Sequence, residues 1–222
     1  MEDISSAVDY LVTLEYVDEN KIGLMGICAG GGYAMNAAQT ELRVKACAGV
    51  STYNLWYTSR KPFPGLNIPN YYENIMKGVA DARNKQAKTG EIVYGHYCPD
   101  KKEELSDSLP VLFREGYDYY KTSRCIYPTA VNKFILSCNG KLASWDAFQY
   151  IDMISQRPVL FISGSKADSK FFSEEAISKA KELKELFEIK GATHIDLYDK
   201  PEYVKQVVKK LVEFFDKFVK NC

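Results

Sequence analysis

The 222-residue sequence predicts an α/β fold, a mostly parallel sheet with flanking helices and one long helical insertion. Three observations carry that expectation. Short apolar runs alternate with helical patterns, the order that builds a parallel sheet from βαβ units. One stretch, residues 52–157, breaks the alternation and holds 17 of the 29 aromatic residues, so it does not continue the sheet. One strand also turns abruptly into a helix through closely spaced glycines, as at the carboxyl edge of such sheets.

Ile4, Ala7, Val8, Leu11, Leu14 and Tyr16 recur near a helical period, so residues 2–18 are expected to be helical until Asp18-Glu19-Asn20 breaks the pattern. Ile22-Gly23-Leu24-Met25-Gly26-Ile27 is continuously apolar and reads as a strand buried on both faces. A small-residue helix follows at 30–40. Val44 to Val50, Pro158 to Gly164 and Leu186 to Ile189 are the remaining strands. Glu174 to Lys184 is a segment of strong helix formers. The last helix, 201–219, gathers Val204, Val207, Val208, Leu211, Phe214, Phe215 and Phe218 on one face. Domain boundaries follow: 1–51 with 158–222 form the core, and 52–157 is a cap with helical pieces near 70–88, 103–121 and 145–155.

Twenty-nine Lys and Arg balance 29 Asp and Glu, and 46% of residues are hydrophobic, which argues against a disordered, collagenous or nucleic-acid-seeking chain. Apolar runs such as PVLFI at 158–162 are far shorter than a membrane span, and Met1-Glu2-Asp3 opens no signal peptide. A soluble, cytoplasmic protein is expected. The six cysteines, at 28, 47, 98, 125, 138 and 222, form no CxxC pair and read as reduced thiols. With two histidines, His96 and His194, a three-histidine metal site is impossible, and no metal or cofactor is expected. His96 pairs with too few ligands and reads as a cap or surface residue.

The most specific motif is Gly26-Ile27-Cys28-Ala29-Gly30, a nucleophile elbow with cysteine in the place of serine. The pattern asks that Cys28 occupy a strained backbone conformation and that Gly26 and Gly30, crowded by it, carry no side chain. Phosphate-binding readings of Gly30-Gly31-Gly32 fail: no Lys follows as in a Walker loop, and Met35 stands where a dinucleotide fingerprint needs glycine. A base is needed, and His194 follows the last strand. An acid is needed between them in chain order, and Asp168 lies just past the strand ending at Gly164. Cys28, Asp168 and His194 are therefore the candidate catalytic residues.

The motifs resemble those of the α/β-hydrolases, in particular the bacterial group similar to dienelactone hydrolases. The resemblance rests on residues 21–34 (KIGLMGICAGGGYA), ISGSKAD with FFSEEA, GATHIDLYDKPEYV, and the cap segments YDYYKTSR and WDAFQYIDMI. It implies a truncated α/β-hydrolase fold, since members carry several strands before the elbow. It also implies hydrolysis of an ester, thioester or lactone by a Cys-His-Asp triad through an acyl-enzyme. Cys28 is then the thiolate nucleophile, its pKa lowered by His194 and the helix start; His194 is base then acid; Asp168 fixes its tautomer; and Ala29 N–H faces the oxyanion. Tyr33 and cap aromatics are expected to shape the acyl pocket. The family's other oxyanion donor comes from a loop before the elbow, so reduced turnover follows if nothing replaces it. The strand leading to Cys28 would lack a neighbour, which implies pairing with a second copy or with a chain carrying the other sheet half. The competing reading is an impaired hydrolase remnant serving as an interaction or oligomerisation module.

Overall fold

The structure, a computed structural model, describes residues 2–220. Along the chain run α1 (Glu2–Leu11), β1 (Ile22–Ile27), α2 (Ala29–Ala38), β2 (Val44–Val50), α3 (Leu55–Arg60), α4 (Tyr71–Thr89), β3 (Tyr94–Gly95) and α5 (Val111–Lys121). Then come β4 (Phe134–Ile135), α6 (Cys138–Leu142), β5 (Val159–Gly164), α7 (Lys170–Lys179), β6 (Lys184–Ile189), α8 (Asp196–Asp199) and α9 (Pro201–Phe215). Two compact units result: Met1–Asn54 with Ala147–Cys222, and Leu55–Asp146.

The first unit holds a parallel sheet in the order β1-β2-β5-β6. Position in that order explains the strand compositions. The central strands β2 and β5 are buried almost throughout, as continuous apolar runs require. β1 is an edge, so the expectation that it is buried on both faces is corrected: Gly23, Met25 and Ile27 are exposed. On one face Ala46, Ala48, Val50, Leu160, Ile162 and Ile189 pack against Val207 and Phe214 of α9. The expected α9 stripe is otherwise present, except that Val208 points to solvent. Elsewhere in the unit Met35 of α2, Phe161 of β5 and Phe172 of α7 are fully buried, as are Phe148, Ile151 and Ile154, which belong to this unit rather than to the insertion.

The helix read from Glu174 to Lys184 lies earlier, at Lys170–Lys179, because Phe172 and Ala176 anchor it to the core. Lys184 already pairs with Val159 in the sheet. The described residues carry no helix long and apolar enough to cross a membrane.

Arg157 locks the turn between α2 and β2. Its Nη2 donates to the Ala38 carbonyl at 2.6 Å, and its Nη1 to the Glu41 and Val44 carbonyls, each at 3.0 Å. Carbonyls at a helix C-terminus lack intrahelical partners and favour a cation. Arg157→Ala is expected to lower stability by about 2–4 kcal/mol in urea unfolding, and Arg157→Lys to restore less than half, since an ammonium cannot span three carbonyls as the guanidinium fork does. Full recovery by lysine would contradict this role.

The second unit is not purely helical, as expected of the cap, because β3 and β4 form a two-residue antiparallel ladder. The long helix expected over 103–121 is broken before Pro110, leaving a 3₁₀ turn at Lys102–Glu104 and α5. The Arg60 guanidinium stacks over Trp56 and Tyr72, 5.5 and 5.1 Å from their ring centres. His96 pairs with Asp100 at 2.6 Å, and Asp100 also accepts from Lys121 and Asn132. Among the described residues no group of three His, Cys, Asp or Glu side chains is arranged to hold a metal. The five described cysteines are free thiols, and Cys222 lies outside the described residues.

Candidate active site

The site is assembled at the carboxyl ends of β1, β2 and β5, all within the first unit. Cys28 stands between β1 and α2 with φ 54° and ψ −126°, a backbone conformation costly for any side-chain-bearing residue. Backbone bonds impose it. The Cys28 N–H donates to the Val50 carbonyl at 3.0 Å, and its carbonyl accepts from Gly31 and Tyr53, both at 2.9 Å.

The two glycines of the elbow are not equivalent. A Cβ on Gly26 would stand 2.0 Å from the Gly30 carbonyl oxygen, so this position admits no side chain. A Cβ on Gly30 would meet nothing within 4 Å, which corrects the expectation that both positions are crowded. The helix packs back onto the strand at Gly26, and Gly30 is the residue whose backbone does the crowding. Gly26→Ala is expected to cost more than about 3 kcal/mol, whereas Gly30→Ala, inside α2, is expected to raise stability by up to about 1 kcal/mol through helix propensity. Paired thermal melts check this, and a reversed order would contradict the packing.

Loop contacts then join the two segments that carry the other candidates. Gly164, ending β5, lies so close to the loop after β6 that a Cβ there would be 2.3 Å from the Ala192 carbonyl. Lys166 N–H donates to that same carbonyl at 2.9 Å, and Gly191 N–H donates to Ser165 Oγ at 2.8 Å. The loop with Asp168 and the loop with His194 are thereby joined. Ser51, just past β2 with φ 46°, donates from Oγ to the His194 carbonyl at 3.0 Å, tying the histidine to the strand beside the elbow.

His194 is fully buried. Its Nδ1 lies 2.5 Å from Ser169 Oγ, so the tautomer-fixing contact expected of Asp168 is made by the next residue in the chain, and its Nε2 lies 3.0 Å from the Tyr198 hydroxyl. Burial pushes its pKa down to about 3, so the imidazole is neutral at ordinary pH. Tyr198 also makes a hydrogen bond to Cys28, as does the Ala29 backbone N–H. Burial nevertheless outweighs both and raises the Cys28 thiol above its usual range, which corrects the expected lowering. A neutral imidazole supplies no positive charge to depress it. Tyr33 is half-buried on α2.

Tyr198, Ser169 and Ser51 were not singled out by the sequence. Only Tyr198 carried a local signal: His194 and Tyr198 are four residues apart, which stacks them on one side of a helical turn. The turn is fixed by reciprocal capping, Thr193 N–H to Asp196 Oδ2 at 3.0 Å and Asp196 N–H to Thr193 Oγ1 at 3.3 Å. Burial works to raise the Asp196 pKa, but hydrogen bonds from Lys200 and the Thr193 backbone N–H prevail and hold it below the usual carboxylate value.

Residues 1–83 match the dienelactone hydrolase family. The chain is 35% identical to the protein YcjY of Escherichia coli over 223 aligned positions, covering 97% of this chain and 70% of YcjY. It is 32% identical to PA2218 of Pseudomonas aeruginosa, covering 97% of this chain and 57% of that protein's length. The crystal structure of PA2218 superposes with a TM-score of 0.88 over 98% of this chain and 67% of that one. The α/β-hydrolase GrgF from Penicillium sp. sh18, 19% identical, shares the fold with a TM-score of 0.78 over 99% of this chain and 71% of that one. With a parallel sheet, a strained elbow and a relative matched over most of both lengths, the chain belongs to the family of YcjY, and its fold is that of a dienelactone-hydrolase-like α/β-hydrolase.

Proposed function

We propose that the protein hydrolyses a carboxylic ester, thioester or lactone with Cys28 as the nucleophile. The observation that carries this reading is the strained Cys28 elbow, with its sulfur hydrogen-bonded to Tyr198, which in turn contacts the buried His194. Cys28 attacks the acyl carbon, the alcohol or thiol leaves with a proton delivered from His194, and water then releases the acid. Ser169 orients the imidazole at Nδ1, and Asp168, its neighbour in the chain, is assigned as the carboxylate that stabilises the imidazolium as it forms. The Ala29 N–H, already directed at the sulfur, is one oxyanion donor, and Tyr33 borders the acyl group.

The raised thiol pKa supports resting Cys28 as neutral –SH, with the thiolate formed only as the proton moves to His194. Free cysteines fit a reducing compartment such as the cytoplasm. The exposed edge of β1, with Met25 and Ile27, favours addition of a further strand there, from a second copy or another chain. The test of the hydrolase reading is acid release from short-chain aryl esters, an aryl thioester and a lactone by the purified protein. Release above the buffer rate for at least one class is expected, and none for any class would contradict it.

A further inference from the structure

Within that reading, the contacts of Tyr198 point to a role that a three-residue triad leaves out. His194 is held at three places: its carbonyl by Ser51 Oγ, its Nδ1 by Ser169 Oγ, and its ring beside Tyr53, with centroids 6.4 Å apart at 84°. An imidazole so pinned inside the core does not swing freely toward the sulfur. The group at its Nε2 is the Tyr198 hydroxyl, at 3.0 Å, and the same side chain bonds Cys28. A hydroxyl both accepts and donates, so one phenol can serve both neighbours at once.

We propose that Tyr198 is the proton relay between Cys28 and His194. In the resting state the Cys28 S–H donates to the Tyr198 oxygen, the Tyr198 O–H donates to Nε2, and the Nδ1–H donates to Ser169 Oγ. During attack the S–H bond breaks and its proton joins the Tyr198 oxygen. The original Tyr198 proton passes to Nε2 in the same event. The products are a thiolate, an unchanged phenol and an imidazolium, with no outside acid, base or oxidant required. Collapse of the tetrahedral intermediate returns the proton along the same path to the leaving oxygen or sulfur. Other titratable or charged groups on the elements that build the site are Tyr33 on α2, Tyr53 after β2, Lys166 and Asp168 after β5, Asp196 and Asp199 on α8, and Lys200 just past α8, 2.6 Å from Asp196.

The test reads thiolate formation rather than hydrolysis, so it separates failure of the relay from failure of the hydrolase reading. Iodoacetamide labelling of Cys28 is followed by peptide mass spectrometry across neutral to alkaline pH in wild type, Tyr198→Phe, His194→Gln and the double variant. Tyr198→Phe is expected to slow labelling near neutrality by about 10-fold or more and to move the profile to higher pH. His194→Gln is expected to do the same, and the double variant to lose nothing further, because the two act in series. Because a buried substitution can perturb packing, 3-fluorotyrosine installed at position 198 provides a second arm: its more acidic hydroxyl is expected to shift the labelling profile in an intact fold. Labelling of Tyr198→Phe at the wild-type rate or faster, independent losses that multiply, or an unmoved profile with fluorotyrosine would each overturn the relay.

Discussion

Replacing Cys28 with alanine is expected to reduce ester turnover by about 10⁴-fold or more, because what remains is binding and oxyanion stabilisation without a nucleophile. The same substitution is expected to leave the fold nearly as stable as before, since the elbow is set by backbone bonds to Val50, Gly31 and Tyr53 and not by the sulfur. Cys28→Gly sharpens the distinction. It too removes the nucleophile, but it relieves the φ 54° strain and is expected to raise stability by about 1 kcal/mol. Cys47 is the contrasting thiol. It is buried in β2, and burial pushes its pKa up to about 12, so Cys47→Ala is expected to cost stability while leaving turnover intact. Steady-state kinetics beside urea unfolding on the three variants checks the pattern. Wild-type turnover by Cys28→Ala would remove the nucleophile from the account.

Acidification is expected to destabilise the protein through His194 in a window set by its burial. The unfolded chain binds a proton near the ordinary value of 6.5, whereas the folded imidazole refuses it until about pH 3. The group's contribution is therefore fully present above pH 6.5 and is lost as pH falls toward 3. The slope approaches about 1.4 kcal/mol per pH unit, and the total loss about 5 kcal/mol. Glu41 acts in a lower window. A side-chain hydrogen bond from Arg43 holds its pKa at about 2 against an ordinary 4.5, so its contribution is lost only below pH 4.5. Urea unfolding between pH 6.5 and 4.5 thus isolates the histidine: a slope in wild type that His194→Gln abolishes is expected, and a slope that survives the substitution would mean that another group carries it.

What the sequence revealed and what it hid divide along physical lines. The strands at 22–27, 44–50 and 159–164 were legible because short, mainly apolar runs of that length, broken in the second only by Lys45, have few alternatives, and the elbow because Gly26-x-Cys28-x-Gly30 carries its own steric logic. The edge position of β1 was hidden, since which strand lacks a neighbour depends on the order of the whole sheet. The start of α7 was misplaced because Phe171 and Phe172 resemble strand residues until the core that receives Phe172 is known. The β3–β4 ladder joins residues about 40 apart with no hairpin turn to announce it. At the site, the pairing of His194 with Ser169 arises from loops that meet through Gly164 and Ala192, a proximity that chain order does not encode. Desolvation was the largest omission: motif logic lowers the thiol pKa, and burial of Cys28 reverses the sign.

A covalent acyl-enzyme on Cys28 is the most direct consequence of the proposed chemistry. Rapid acid quenching during turnover of an aryl ester, followed by intact and peptide mass spectrometry, detects it. A mass gain equal to the acyl group is expected, located on the Cys28 peptide, absent from Cys28→Ala and prolonged in His194→Gln. Ester turnover by the wild-type protein with the acyl group on another residue, or with Cys28 unmodified while His194→Gln turns over equally fast, would contradict it.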